Sequence, residues 1–265
     1  MSARTTRPDA VSAGLAGLLL VVLGAPMVAL LVRTSLEDLG HAFARSSVLS
    51  ALETSLVTTA TSLVAIVIAG TPLAWAISQS RHRAAQAVEL VVRAPIVLPP
   101  SVAGVALLLA FGHEGVFAGW LYPRGSSPAF GLGAVVLAQI FVAAPLYVQA
   151  ATSAFRRLDP MLVLVARSLG AGRARVLWRV VLPAVRPSLL AGAALAWARA
   201  VGEFGATLLF AGNMEGRTQT LPLAIYSAFE SDLGVARALS VWLVLLALVV
   251  LALVRALESR AEERA

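Results

Sequence analysis

Arg199 and Glu203 stand four residues apart in an otherwise apolar stretch, a spacing that puts both on one face of a helix. Ionisable side chains at membrane depth face a bundle interior or a watery cavity, and pairing lowers the cost of burying them. The chemistry such a pair supports is charge handling: a structural tie between helices, or a polar element beside a path. Gly202 and Gly205 flank the carboxylate and permit close backbone approach or local bending, with Thr207 following. Pro95, Pro99 and Pro100 remove backbone donors at the start of another apolar tract, which makes either an entrance kink or a break that lines a cavity.

Covalent chemistry has no candidates. Cysteine is absent, which removes thiolate nucleophiles, thiolate metal sites and disulfides. His41, His82 and His113 are isolated from one another, and neither a metal-ligand spacing nor a Ser-His or His-carboxylate constellation occurs. There is also no G-x-x-x-x-G-K-[ST] loop to cradle a phosphate. The expectation is a chain without metal, cofactor or catalytic residues.

The elements that must position these residues are set by the solvent. Of 265 residues 59% are hydrophobic and only 13% charged, against about 25% charged in a soluble domain. Mean hydropathy is +0.85, and long charge-free tracts recur along the whole chain, so the bilayer replaces the missing polar shell. The tracts predict an all-α polytopic membrane protein of six spans, at about residues 11–32, 54–78, 94–112, 131–154, 187–211 and 236–255, forming a single domain over 1–265. The first tract exceeds the apolar region of a typical signal peptide and is read as a span.

The net charge of +7 comes from arginine alone, because there is no lysine. With the amino terminus inside, Arg4, Arg7, Arg81, Arg83, Arg93, Arg156, Arg157, Arg167, Arg173, Arg175, Arg179, Arg186, Arg255, Arg260 and Arg264 fall in cytoplasmic segments, leaving Arg33, Arg45, Arg124, Arg217 and Arg237 outside. Basic loops are retained in the cytoplasm, so both termini are expected there, in a cell membrane. Arginines distributed by topology, with little aromatic interleaving, also argue against nucleic acid as a partner.

Between the fourth and fifth tracts lies a segment of about thirty residues, 156–183, too long for a structureless connection. Asp159 is placed to cap a helix, Pro160 suits a first turn, and Gly170 stands where a helix ends in positive φ. A second helical stretch, Ala174 to Leu182, is expected to end at Pro183. Basic on one side and apolar on the other, the pair either lies on anionic lipid or docks a cytoplasmic partner.

Sequence pattern separates those alternatives. The run Ala166-Arg167-Ser168-Leu169-Gly170, followed after nine residues by Val180-Val181-Leu182-Pro183, resembles the cytoplasmic signature of binding-protein-dependent ABC import permeases. That signature begins Glu-Ala-Ala; here Leu164 and Val165 occupy its first two positions, so a contact through that Glu is not carried over. A second run, Ala198 to Thr207 with Gly202-Glu203-Phe204-Gly205-Ala206 at its centre, then Phe210 to Asn213 and Gly216 to Tyr226, resembles the molybdate permease subfamily. Pro95 to Gly104 is similar to a pattern shared with sulfate permeases.

The resemblance implies a homodimer of six-span subunits served by two cytoplasmic ATPase subunits and an external oxyanion-binding protein, with ATP hydrolysis in the ATPase. It assigns partner coupling to Asp159, Ala166, Arg167, Leu169, Gly170, Ala171, Leu182 and Pro183. Pro99, Pro100, Arg199, Glu203, Gly205 and Thr207 become candidates for the translocation path. Arg217, Thr218, Gln219 and Thr220 would sit on the outer side, as an ordinary polar loop or as donors met by an arriving dianion. Sulfate or thiosulfate is the alternative cargo. An ion-coupled secondary transporter would show repeated halves, and no convincing repeat occurs.

Overall fold

A computed structural model describes residues 10–80, 82–121 and 128–262, and among them every regular element is helical. The order is α1 (Ala10–Arg33), α2 (Leu36–Phe43), α3 (Ser46–Gln79), α4 (Arg83–Val97), α5 (Pro100–Phe111), α6 (Ala118–Leu121), α7 (Leu132–Arg157), α8 (Pro160–Ser168), α9 (Arg173–Val176), a π-type turn (Leu177–Val181), α10 (Leu182–Val201), α11 (Gly205–Phe210), α12 (Leu221–Ser231) and α13 (Leu233–Glu262).

The hub is α7, which packs on α3, α10, α4 and α11. Its buried positions are mostly small, including Ala134, Ala138, Ala143, Ala151 and Ala154, so neighbouring backbones come close and dispersion replaces the hydrophobic effect that lipid cannot supply. Several buried polar groups pair across the bundle, which lowers the cost of holding them in hydrocarbon. Thr71 Oγ1 and Tyr147 Oη lie 2.6 Å apart, and Gln139 accepts from Ser62 Oγ at 2.8 Å while donating to Thr58 Oγ1 at 3.1 Å. A second core, around Ala42, Val48, Ala51, Leu221, Ala224 and Leu239, joins α2, α3, α12 and α13 at the end of the bundle opposite α8 and α9.

Three expectations change. Among the described residues five helices are, by length and composition, long and apolar enough to cross a membrane, one fewer than the six tracts: Ser12–Arg33, Ser46–Gln79, Leu132–Arg157, Arg173–Val201 and Leu233–Ala256. The tract at 94–112 is divided, because Leu98 and Pro99 are extended and α5 begins only at Pro100. Its 12 residues rise about 18 Å, short of the ~30 Å hydrocarbon core. The helix over 174–182 does not stop at Pro183. In the π-type turn Leu182 N–H donates to Leu177 O, one residue beyond the α register, and Pro183 falls in the first turn of α10, where its missing donor is tolerated. The tract at 187–211 is likewise interrupted, at Gly202–Phe204.

Candidate functional site

The interruption between α10 and α11 holds the charge pair. Arg199 Nη1 lies 2.7 Å from Glu203 Oε2, although the helix has ended before Glu203. The other carboxylate oxygen, Oε1, accepts the Ala206 N–H at 2.8 Å, so Glu203 also satisfies a donor that the first turn of α11 leaves open. The Glu203 side chain is 1% exposed and that of Arg199 36%. Both carboxylate oxygens are engaged, which is what makes a buried carboxylate bearable.

This break abuts the start of α5. A Cβ on Gly205 would fall 2.5 Å from Pro100 Cβ, and one on Gly104 would fall 2.8 Å from Leu209 Cβ. Glycine at both positions is what lets α5 and α11 touch backbone to backbone. Two short helices, opening at Pro99–Pro100 and at Phe204–Gly205, thus lie side by side, and irregular backbone at such depth is tolerated where protein or a cavity covers it. Thr207 in α11 is fully buried with its Oγ1 unpartnered.

At the end of the bundle where α3 and α7 finish, the segment 156–183 folds on its own punctuation. Asp159 Oδ1 accepts the Met161 N–H at 2.9 Å, and Pro160 opens α8. Leu169 closes the helix and Gly170 follows at φ +82°. Gly170 N–H donates to Arg167 O at 3.0 Å and Ala171 N–H to Ala166 O at 3.1 Å, the paired bonds of a Schellman motif. The spacing of Ala166, Gly170 and Ala171 is therefore a helix stop, and the two alanines turn toward the main core. Met161, Leu162, Leu164, Val165, Leu169 and Trp178 are exposed instead, beside exposed Arg167, Arg173, Arg175 and Arg179.

A cavity of ≈ 990 Å³ separates this segment from the ends of α3, α4 and α7. Trp75 and Phe155 meet edge to face on its wall, at 5.1 Å between ring centres. Glu89 of α4 bridges Arg156 of α7, at 2.9 Å, and Arg93. The hydrogen bond from Arg156 is the main cause that holds the Glu89 carboxyl below its ordinary value.

At the opposite end, residues 212–220 are tucked in. Arg217 is exposed, whereas Thr218, Gln219 and Thr220 are buried. Thr218 Oγ1 accepts the Met214 N–H and donates to Gly212 O, and Gln219 Nε2 donates to Asn213 Oδ1 at 3.0 Å. The hydroxyl of Thr220 has no partner. The polar seam that receives this loop was not among the sequence candidates: Ser55 Oγ accepts the Leu221 N–H at 2.7 Å, and Thr54, Ser55, Thr58, Thr59 and Ser62 are all buried on α3. Its signal was a run of hydroxyl residues at helical spacing inside an apolar tract.

The fold and these sites define a multi-pass membrane bundle with two broken helices packed on each other and an amphipathic helical segment at one end. Residues 62–263 match the family described as "Binding-protein-dependent transport system inner membrane component", and the chain belongs to that family. It is 41% identical over 236 residues to the molybdenum transport system permease protein ModB of Mycobacterium bovis, covering 89% of each chain. The protein of the same description from Escherichia coli is 36% identical over 181 residues, 68% of this chain and 79% of that one. In fold it resembles the crystal structure of a bacterial ABC transporter involved in import of the acidic polysaccharide alginate, with a TM-score of 0.65 at 16% identity, covering 92% of this chain and 91% of that one.

Proposed function

We propose that the chain is the membrane-spanning subunit of an ATP-driven importer that carries molybdate, and with it the isosteric tungstate, received from an external binding protein. The observation that carries this proposal is the 41% identity with a molybdenum transport permease across 89% of both chains, joined to the Gly202-to-Thr207 and Gly216-to-Tyr226 runs. Two copies form a single-domain permease each, and two ATPase subunits take up the exposed apolar and basic surface of α8 and α9, with Asp159, Ala166, Gly170 and Ala171 setting its shape and Arg167, Leu169, Leu182 and Pro183 its contacts or entry into the span. The arginine bias supports an orientation in a cell membrane with both termini and α8 on the cytoplasmic side. ATP hydrolysis belongs to the ATPase, and this chain supplies the path, around Pro99, Pro100, Arg199, Glu203, Gly205 and Thr207. On the outer side exposed Arg217 is the cation its loop offers to an anion or the binding protein, beside exposed Glu215, while Thr218, Gln219 and Thr220 shape the loop that presents it.

The test is to co-purify the chain with its ATPase and binding protein and to measure anion-stimulated ATP hydrolysis. Molybdate and tungstate are expected to stimulate and sulfate to do so poorly. Stimulation by sulfate or thiosulfate alone would overturn the cargo assignment while leaving the permease assignment in place.

A further inference from the structure

The half-exposed guanidinium and the sealed carboxylate at the α10–α11 break have different jobs. Arg199 lies 13 residues beyond Arg186, the preceding charged residue, about 20 Å further along a helix. A guanidinium so far into an apolar tract is not offered to hydrocarbon, so its exposed part faces water or protein. In a twofold permease the path runs between the copies, and both of those surroundings lie on that side. Glu203 is closed off by comparison, with one oxygen on Arg199 and the other on the Ala206 N–H.

An arginine has five N–H donors in a planar fork, and only one Glu203 oxygen, Oε2, is turned to it, 2.7 Å from Nη1, while the other is held by the Ala206 N–H. Resting on the importer proposed above, we infer that Arg199 receives the passing dianionic oxyanion on the rest of its fork, and that Glu203 is a resident counter-ion which keeps that hold loose. A lone guanidinium in a low-dielectric passage would attract a dianion strongly enough to trap it, because the attraction grows as the surroundings exclude water. A fixed carboxylate on the same guanidinium cancels part of the charge and competes for its donors. Anchoring by Ala206 keeps the carboxylate in place when the oxyanion arrives, so cargo shares the arginine and then leaves. The contact between Pro100 and Gly205 holds the break against α5, so the loose site and the second broken helix move together.

The experiment uses the assembled permease–ATPase complex in nanodiscs and proteoliposomes, with radiolabelled molybdate and liganded binding protein. Two quantities are read: molybdate left on the complex after rapid gel filtration, and the uptake rate. Glu203→Gln is expected to retain at least tenfold more molybdate than the unmodified complex and to slow uptake at least tenfold. Arg199→Gln, which still offers Glu203 a donor and leaves its cap intact, is expected to retain none and also to slow uptake. The double variant should retain none, showing that trapping by Glu203→Gln acts through Arg199. A purely structural pair would lower assembly without raising retention. Retention by assembled Glu203→Gln no greater than in the unmodified complex overturns the inference, and so does Arg199→Gln uptake at the unmodified rate, even if Glu203→Gln fails to assemble. If the unmodified complex moves labelled sulfate instead of molybdate, the cargo proposal fails, and the same comparison run with sulfate still decides the role of the pair.

Discussion

Gly170→Val separates backbone conformation from contact. Gly170 sits at φ +82°, and a Cβ built there would meet nothing within 4 Å. The substitution therefore creates no clash, and its whole effect is the cost of holding a β-branched residue in the left-handed region, about 1–2 kcal/mol. At about 1.4 kcal/mol per tenfold, that lowers the closed-to-open ratio of the turn by roughly five- to thirtyfold. Opening the turn releases the bonds from Gly170 N–H to Arg167 O and from Ala171 N–H to Ala166 O, and re-aims α8 relative to α9. The membrane helices do not depend on this turn. Retention of the ATPase on a column and stimulated hydrolysis should both fall, by up to about that factor, since apparent affinity follows the fraction of closed turn, with insertion and dimerisation unchanged. Gly172→Ala is the matched control, since Gly172 has φ −68° and equally open space, and Ala171→Ser should also be mild. Full ATPase retention and full stimulated hydrolysis in Gly170→Val would refute docking through this turn and return α8 and α9 to the role of a helix pair lying on lipid.

Gly205→Ala should destabilise by about 1–3 kcal/mol, because its Cβ would meet Pro100 Cβ at 2.5 Å, whereas Gly119→Ala, with nothing within 4 Å, should be silent in the same detergent melting experiment. Glu89 contributes stability that is fully present above its ordinary value of 4.5 and is lost as pH falls through the lower folded value; Glu89→Gln should remove that contribution at neutral pH and flatten the acid limb of a melting-temperature profile, and an unchanged acid limb would exclude the Glu89 bridge as its source. A tag at residue 125 should be labelled from outside and one at residue 172 only after permeabilisation, the opposite pattern overturning the orientation.

What the sequence made legible was governed by local rules. The Asp159 cap and the Gly170 stop were readable because capping and positive φ act within a few residues. The pairing of Arg199 with Glu203 followed from a four-residue spacing, though a helix was not needed to achieve it: the chain turns at Gly202 and the carboxylate still reaches. Less legible was everything decided by partners distant in sequence. Pro99 and its neighbours signalled either a kink or a break without deciding between them, and only the structure shows α11 packed against Pro100 and Gly104 on one face of the short α5. Pro183 was read as a stop because the proline rule is local; one π-type turn before it lets the helix continue. The hydroxyl run on α3 carried no assigned partner until the structure brought Gln139 and the Leu221 N–H to it, from 77 and 166 residues away respectively. Thr218 and Gln219, polar and therefore expected at the surface, are buried because they hydrogen-bond within their own loop.

The most direct measurement of the central proposal is uptake into proteoliposomes that hold this chain and its ATPase, with ATP inside and radiolabelled molybdate with its binding protein outside. The account predicts molybdate accumulation that requires both ATP and the binding protein and survives a large excess of sulfate. Accumulation driven by an ion gradient without ATP, or abolished by equimolar sulfate, would contradict it.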